Sequence, residues 1–169
     1  MTTSTKFWDK IADKYSKQPI VDEESYQKKL TVTQEYFNPD MEVLEFGCGT
    51  GGTAIIHAPY VKHIRAIDIS EKMIAIAQGK AENNNINNIT FEQLTIEELK
   101  TANSTYDAVL GLSILHLLED KETAIAKVYS ILKPGGIFVT STTCMGDFMG
   151  WFKLNCTNCK NLGILPLGI

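Results

Sequence analysis

The sequence lacks the features that mark membrane and secreted proteins. Its longest apolar stretch, residues 108–118, has 11 residues and is interrupted by Gly111, Ser113 and His116. A membrane-spanning helix needs about 20 apolar residues, so this stretch is too short. Residues 1–15 are polar and charged, without the apolar core of a signal peptide. We therefore expect a cytoplasmic protein with no membrane partner.

The sequence also lacks a strong excess of one charge and has few cysteines. Lys and Arg number 16 and Asp and Glu number 20, a net charge of −4, and no basic block occurs. A nucleic-acid partner is not expected, because such proteins usually carry a basic patch. The four cysteines are expected to be free thiols. Cys156 and Cys159 form a C-x-x-C pair, but structural zinc needs four ligands and no second pair follows, so no metal site is predicted.

What is present is the composition of one globular domain: 169 residues, of which 44% are hydrophobic and 21% charged. Two amphipathic helices are predicted in the first 40 residues, separated by Pro19. The first carries a stripe from Phe7 to Tyr15, and the second covers residues 22–37. His57 and His63 are predicted to lie on the surface.

Beyond residue 40, short apolar strands alternate with helices. Strands are predicted at 41–46, 64–69, 89–93, 106–112 and 137–141, and helices at 53–57, 71–83 and 120–132, with a helical turn at 95–99 and a Pro-Gly-Gly turn at 134–136. This alternation is typical of an α/β fold with a doubly wound, Rossmann-like parallel sheet. The strands are almost continuously apolar, as expected for a sheet with helices on both faces.

A glycine-rich segment follows the first of these strands. Gly47 and Gly49 permit positive φ and let a ligand approach bare backbone. Asp68 lies 21 residues after Gly47, where a carboxylate faces the same crevice and can accept hydrogen bonds from ribose hydroxyls. The alternative role for Asp68 is to cap the next helix, but Ser70 fits that role better.

Four segments in this order resemble the motifs of the class I S-adenosylmethionine-dependent methyltransferases, in particular the small-molecule type. Residues 43–51 resemble motif I, residues 66–70 with Met73 resemble the second motif, residues 106–109 resemble the start of motif IV, and residues 132–136 resemble the Leu-Lys-Pro-Gly-Gly turn before strand five. The N-terminal Phe7-Trp8-Asp9 with Tyr15 is similar to the family's lid helix. The resemblance implies a helical lid over residues 1–40 and a cofactor-binding core over residues 41–169.

The resemblance also implies a cofactor, S-adenosyl-L-methionine, with S-adenosyl-L-homocysteine as product, and a small-molecule methyl acceptor. Its implied cofactor-binding residues are Tyr15, Glu45, Gly47, Cys48, Gly49, Gly51, Asp68, Ile69, Met73, Thr95, Ile96 and Leu112. Glu45 would lie near the methionine amino group, the loop from Gly47 to Gly51 would hold the methionyl part, Asp68 would take the ribose hydroxyls, and Ile69 and Met73 would enclose the adenine. Cys48 is interpreted as a packing residue of this loop rather than a nucleophile.

After strand three, Thr95 and Ile96 stand where the family contacts the adenine edge, although many members have an acid at the position of Thr95. After strand four, Leu112, Ser113 and His116 would line the space around the methyl group. His116 is the candidate general base, because a neutral imidazole can deprotonate a hydroxyl or amine.

Two alternatives remain open: a nicotinamide-dependent (NAD) oxidoreductase, which shares the glycine pattern and the acid, and a non-catalytic protein that binds S-adenosylmethionine. The family sheet has seven strands, but only 28 residues follow Ser141. Strands six and seven are therefore expected to be missing or shortened, with residues 164–167 as a sixth strand. The edge of strand five should then be covered by the C-terminal tail, by a second copy in a homodimer, or by an exchanged segment.

Overall fold

A computed structural model describes residues 3–142 of the chain and the backbone of residues 163–166. Within these described residues, five α-helices and six β-strands follow one another: α1 (Thr3–Tyr15), α2 (Glu23–Gln34), β1 (Glu42–Phe46), α3 (Gly52–His57), β2 (His63–Asp68), α4 (Glu71–Asn83), β3 (Ile89–Gln93), β4 (Tyr106–Leu112), α5 (Lys121–Ile131), β5 (Leu132–Ser141) and β6 (Gly163–Pro166). Two single 3-10 turns, Ala58–Tyr60 and Leu115–Leu117, follow α3 and β4. No helix among the described residues has both the length and the apolarity that crossing a membrane would require.

The strands form one sheet in the order β3-β2-β1-β4-β5-β6, in which the first five strands run parallel. Val43 and Leu44 of β1 are both fully buried but belong to two different hydrophobic clusters. The cluster around Val43 contains residues of α3 and α4, and the cluster around Leu44 contains residues of α5. Helices therefore cover both faces, and the predicted doubly wound fold is confirmed.

The strand order reverses at β1, which pairs with β2 on one side and with β4 on the other. In register, Glu45 lies between Ala66 of β2 and Leu110 of β4. Open α/β sheets bind ligands in the crevice outside the carboxyl ends of the strands at such a switch point. The glycine-rich segment after β1 lies at this crevice.

Strand β5 begins earlier than predicted, because the Pro-Gly-Gly segment expected as a separate turn belongs to it. Tyr106 pairs with Leu132, but Ala108 pairs with Ile137, so β5 has extra residues opposite β4. Gly135 absorbs this bulge with a φ of +78°.

The edge of β5 is paired with the C-terminal strand. β6 runs antiparallel to β5, with Ile137 opposite Pro166 and Thr140 opposite Gly163. The expectation that a short sixth strand covers this edge is thus met over these residues, and pairing there needs neither a second copy nor an exchanged segment. The C-x-x-C pair of Cys156 and Cys159 lies outside the described residues, as does segment 145–154, whose sequence can form one helix.

The two N-terminal helices bury fewer stripe residues than their periodicity suggests. In α1, Ala12 is fully buried, but Phe7 is 55% and Tyr15 46% exposed, because this helix lies at the rim of a cleft. Helix α2 ends at Gln34, three residues before the predicted boundary, and Asp22 caps its N-terminus by accepting a hydrogen bond from Ser25 N.

The prediction that His57 lies on the surface is wrong. Its side chain is fully buried at the end of α3, in edge-to-face contact with Phe37 at 5.1 Å between ring centroids. Its Nδ1 lies 3.4 Å from Nε2 of Gln34. Burial lowers the pKa of His57 to about 4, so the ring is neutral near pH 7. His63, by contrast, is partly exposed, in agreement with the prediction.

Candidate functional site

The glycine loop that follows β1 is held in place by its backbone geometry. Gly47, Gly49 and Gly51 have φ values of +67°, +53° and +74°. A β-carbon on Gly47 would lie 2.6 Å from Ile114, and one on Gly51 would lie 2.8 Å from Ala77. At Gly49 the nearest atom to such a carbon would be in Tyr15, at 3.9 Å. Gly47 and Gly51 are therefore required by close packing, whereas Gly49 leaves its backbone accessible to a ligand.

Asp68, at the end of β2, is bound to this loop. One of its carboxylate oxygens accepts a hydrogen bond from Gly49 N at 2.9 Å, and the other accepts one from Ser70 N at 2.9 Å. Burial raises the pKa of Asp68, and these two hydrogen bonds oppose the rise. Ser70 caps α4 by accepting a hydrogen bond from Met73 N at 3.1 Å, as predicted.

Glu45 belongs to β1, two residues before Gly47, and is only 2% exposed. Its Oε2 atom is buried with no hydrogen-bond partner among the described residues. Burial raises the pKa of Glu45 to about 8, while the charge of Lys29 acts in the opposite direction. An unpartnered buried carboxyl oxygen is costly, so this position suits a donor or cation supplied by a ligand.

Lys29 of α2 does not line the cleft, but its charge acts on Glu45, an interaction that the sequence reasoning missed. Burial lowers the pKa of its ammonium group, and the neighbouring Glu45 opposes this shift. Its Nζ lies 4.9 Å from the ring centroid of Tyr26, a cation–π contact. The spacing in the sequence could have indicated the contact with Tyr26, because Lys29 follows Tyr26 by three residues and therefore lies on the same side of α2.

A cleft opens above the glycine loop, with an empty volume of about 850 Å³ that includes open solvent at its mouth. Nine of the predicted cofactor-binding residues line it: Tyr15, Gly47, Gly49, Asp68, Ile69, Met73, Thr95, Ile96 and Leu112. The other three, Glu45, Cys48 and Gly51, are buried and do not line the cleft. Burial raises the pKa of the Cys48 thiol, which suits the packing role expected for it.

Thr95 forms a capping box with Glu98 in the turn after β3. Thr95 N donates to the Glu98 carboxylate at 3.2 Å, and Glu98 N donates to Thr95 Oγ1 at 3.1 Å. The acid that many family members place at this position is absent, but Glu97 lines the cleft two residues later. Glu97 is therefore a second acidic group at this end of the cleft that the sequence reasoning missed.

The other end of the cleft lies beyond β4. Ser113 has a φ of +55°, which is uncommon outside glycine, and its backbone N–H donates to Ser141 O at 2.9 Å. Ile114, Leu117 and Leu118 make this end apolar, and Ser4 and Trp8 of α1 also line the cleft. His116 lies in the 3-10 turn, exposed and outside the residues that line the cleft.

Among residues 3–142, no three His, Cys, Asp or Glu side chains are grouped closely enough to hold a metal ion.

Comparison with known proteins agrees with this geometry. A family model described as a methyltransferase domain matches residues 37–165. The uncharacterized methyltransferase YcgJ of Bacillus subtilis is 28% identical over 139 residues, 82% of this chain and 54% of that protein. A ubiquinone biosynthesis O-methyltransferase of Rickettsia canadensis is 35% identical over 102 residues, 60% of this chain and 42% of that protein.

Solved structures have the same fold. The crystal structure of YcgJ superposes with a TM-score of 0.66 at 25% identity, over 69% of this chain and 50% of that one. A SAM-dependent methyltransferase from Aquifex aeolicus superposes with a TM-score of 0.67 at 18% identity, over 76% of this chain and 71% of that one, and its likeness concerns the fold alone. The chain spans about half the length of YcgJ.

Proposed function

The chain belongs to the methyltransferase-domain family, and from this premise we propose that it transfers a methyl group from S-adenosylmethionine to a small-molecule acceptor. One observation carries the proposal. The glycine loop and Asp68 line the cleft and are hydrogen-bonded to each other, and the nearby strand β1 carries the buried, unpartnered oxygen of Glu45. Family membership favours this function over the nicotinamide-dependent alternative.

The described residues fit the chemical groups of this cofactor. The open backbone at Gly49 can accommodate its methionyl part, and the orphaned Glu45 Oε2 can accept a hydrogen bond from its ammonium group. Asp68 can accept hydrogen bonds from the ribose hydroxyls. Ile69 and Met73 supply apolar surface for the adenine. Each part of the cofactor thus finds a partner of matching chemistry.

The protein then has to align the acceptor with the methyl group and to exclude water from the site. The bound cofactor supplies a methyl group on a sulfonium, which an acceptor atom can take with its own electron pair. Trp8 and Tyr15 cover the cleft from α1, and Ile114 and Leu117 form its apolar wall. Holding an acceptor in line with the methyl group within this cleft lowers the barrier by orientation.

A general base is needed only when the acceptor must lose a proton. The residues lining the described cleft include two carboxylates, Asp68 and Glu97, but no histidine. His116 can take part only if its turn rearranges when an acceptor binds. The role of His116 as a base therefore stays a prediction, and a thiolate or an unprotonated amine acceptor would not require it.

A methyl-transfer assay tests the proposal. The full chain is incubated with methyl-labelled S-adenosylmethionine and a panel of phenol, carboxylic acid, amine and thiol acceptors. We expect labelled product with at least one acceptor class and its loss in Asp68→Ala. A folded protein that binds S-adenosylhomocysteine but labels no acceptor would favour the non-catalytic alternative. Label transferred only to protein or nucleic acid would contradict the small-molecule acceptor.

A further inference from the structure

Asp9 of helix α1 is hydrogen-bonded to the N-terminus of α4. Its Oδ1 atom accepts a hydrogen bond from the Ser70 hydroxyl at 2.6 Å and a longer one from Lys72 N at 3.3 Å. The N-terminus of a helix carries partial positive charge and free N–H groups, so a carboxylate is favoured there. Asp9 therefore supplements the cap that Ser70 provides from within α4.

The same Ser70 belongs to the cofactor side of the cleft. Its hydroxyl accepts from Met73 N, while its backbone N–H donates to the Asp68 carboxylate. Asp9 is therefore linked through Ser70 to Asp68 and Met73, the acid and the apolar residue assigned to the cofactor. In the sequence alone, Asp9 is recognisable only as part of the lid motif, without a predicted role.

The face of α1 beside Asp9 carries the aromatic residues of the cleft. Trp8 and Tyr15 both line the cleft, and their rings meet edge to face at 6.2 Å between centroids. Seven residues separate them, so they lie on the same side of the helix. Fixing the helix at Asp9 fixes where both rings lie.

We propose that Asp9 is a positioning residue that docks α1 on the N-terminus of α4 and so holds Trp8 and Tyr15 against the cofactor cleft. Asp9 does not line the cleft and acts through Ser70 and the two aromatic rings. The inference rests on the proposed function for the identity of the ligand, but the docking itself does not depend on it.

Two variants and a matched control separate this role from general destabilisation. Asp9→Ala removes the acceptor, and Asp9→Asn keeps an acceptor but loses the charge. Asp13→Ala is the control, because Asp13 lies one turn further along α1 and is exposed. For S-adenosylhomocysteine, we expect Kd to rise roughly tenfold in Asp9→Ala and roughly threefold in Asp9→Asn, the scale of a charge-assisted hydrogen bond, with less than roughly twofold change in the control.

Amide hydrogen exchange, measured without ligand, tests directly whether Asp9 docks α1 on α4. In Asp9→Ala the amides of α1 should exchange faster, those of β1 and β4 should not, and Asp13→Ala should resemble the unmodified chain. In a Trp151→Phe background, which leaves Trp8 as the remaining tryptophan, the emission of Trp8 should shift to longer wavelength in Asp9→Ala alone.

The outcomes are distinct. Unchanged exchange of α1 in Asp9→Ala, or equal effects of the variants at positions 9 and 13, would overturn the docking role. Faster exchange with unchanged affinity would overturn the claim that docking positions the cleft. If the unmodified chain fails to bind S-adenosylhomocysteine, the proposed function fails instead, and exchange of α1 still decides whether Asp9 docks the helix.

Discussion

The Asp68 carboxylate accepts a 2.9 Å hydrogen bond from the backbone N–H of Gly49, so the acid at the end of β2 and the loop after β1 hold each other in place. Two segments 19 residues apart in the chain thereby form one side of the cleft. A ligand that contacts both segments finds the Asp68 carboxylate and the accessible backbone at Gly49 already fixed relative to each other. This arrangement lowers the ordering cost that binding would otherwise incur.

Replacing Asp68 should therefore weaken cofactor binding more than it weakens the fold. In Asp68→Asn one acceptor oxygen becomes an amide nitrogen, which cannot accept from Gly49 N or from a ribose hydroxyl. We expect affinity for S-adenosylhomocysteine to fall roughly tenfold to hundredfold, as for hydrogen bonds to a charged group. Calorimetric titration measures this loss.

The control for that experiment is Asp107→Asn. Asp107 lies near the start of β4, away from the cleft, where it pairs with Lys133 at 2.8 Å. This variant should lower stability and leave affinity within roughly twofold, since it removes a charge far from the ligand. Equal losses of affinity in both variants would mean that Asp68 has no special role.

Adding a methyl group at Gly47 should destabilise the protein. Alanine there would keep a φ near +67° and place its β-carbon 2.6 Å from Ile114. We expect a loss of about 1–3 kcal/mol in the free energy of unfolding, from left-handed strain and overpacking. Urea-induced unfolding provides the measurement.

Gly79→Ala is the matched control for Gly47→Ala. Gly79 lies within α4, and a β-carbon there would meet nothing within 4 Å. Alanine favours a helix over glycine, so this variant should gain about 0.5–1 kcal/mol. Opposite signs at the two positions are the expected result, and a neutral Gly47→Ala would disprove the close packing of the loop.

Buried Glu45 should make stability fall as pH rises. The pKa of this carboxyl is 4.5 ordinarily and about 8 in the folded protein, so the folded state holds an extra proton between these values. The stabilisation is fully present below pH 4.5 and is lost as pH rises through 8. Glu45→Gln, which stays neutral, should be more stable than the unmodified chain at pH 9 by an amount on the order of a few kcal/mol. Parallel stability curves from pH 5 to pH 9 would contradict this.

Buried His57 should have the opposite pH dependence. Its pKa is 6.5 ordinarily and about 4 in the folded protein, so the unfolded chain binds the proton first as pH falls. Stability present above pH 6.5 is therefore lost as pH falls toward 4, by about 3 kcal/mol at most. His57→Gln should remove this dependence, measured by thermal unfolding between pH 4 and 7. His116→Gln, which alters an exposed side chain, should not remove it.

The sequence predicted the parts of the fold that local pattern determines. Strand β1, the cap at Ser70 and the end of α4 at Asn83 follow from apolar runs and capping chemistry, and the structure confirms them. The parallel, doubly wound sheet follows from the alternation of these elements.

The errors arise from contacts between distant residues. His57 is two residues from Pro59 and was expected at the surface, but Gln34 at the end of α2 and Phe37 in the segment after it both contact its ring. Periodicity placed Phe7 on a buried stripe, although it is mostly exposed. Similarly, no spacing rule could pair Asp9 with Ser70, which lies 61 residues away.

The central claim is that the switch point between β1 and β4 binds S-adenosylmethionine. Calorimetric titration of the full chain with S-adenosylmethionine, S-adenosylhomocysteine and NAD tests it most directly. S-adenosylhomocysteine has no methyl group to transfer, so its binding is measured without turnover. We predict saturable binding of the first two and none of NAD, together with a melting temperature that rises with ligand, since a ligand at 100 times its Kd adds about 2.7 kcal/mol. Binding of NAD, or failure of a folded protein to bind either S-adenosyl compound, would contradict the account.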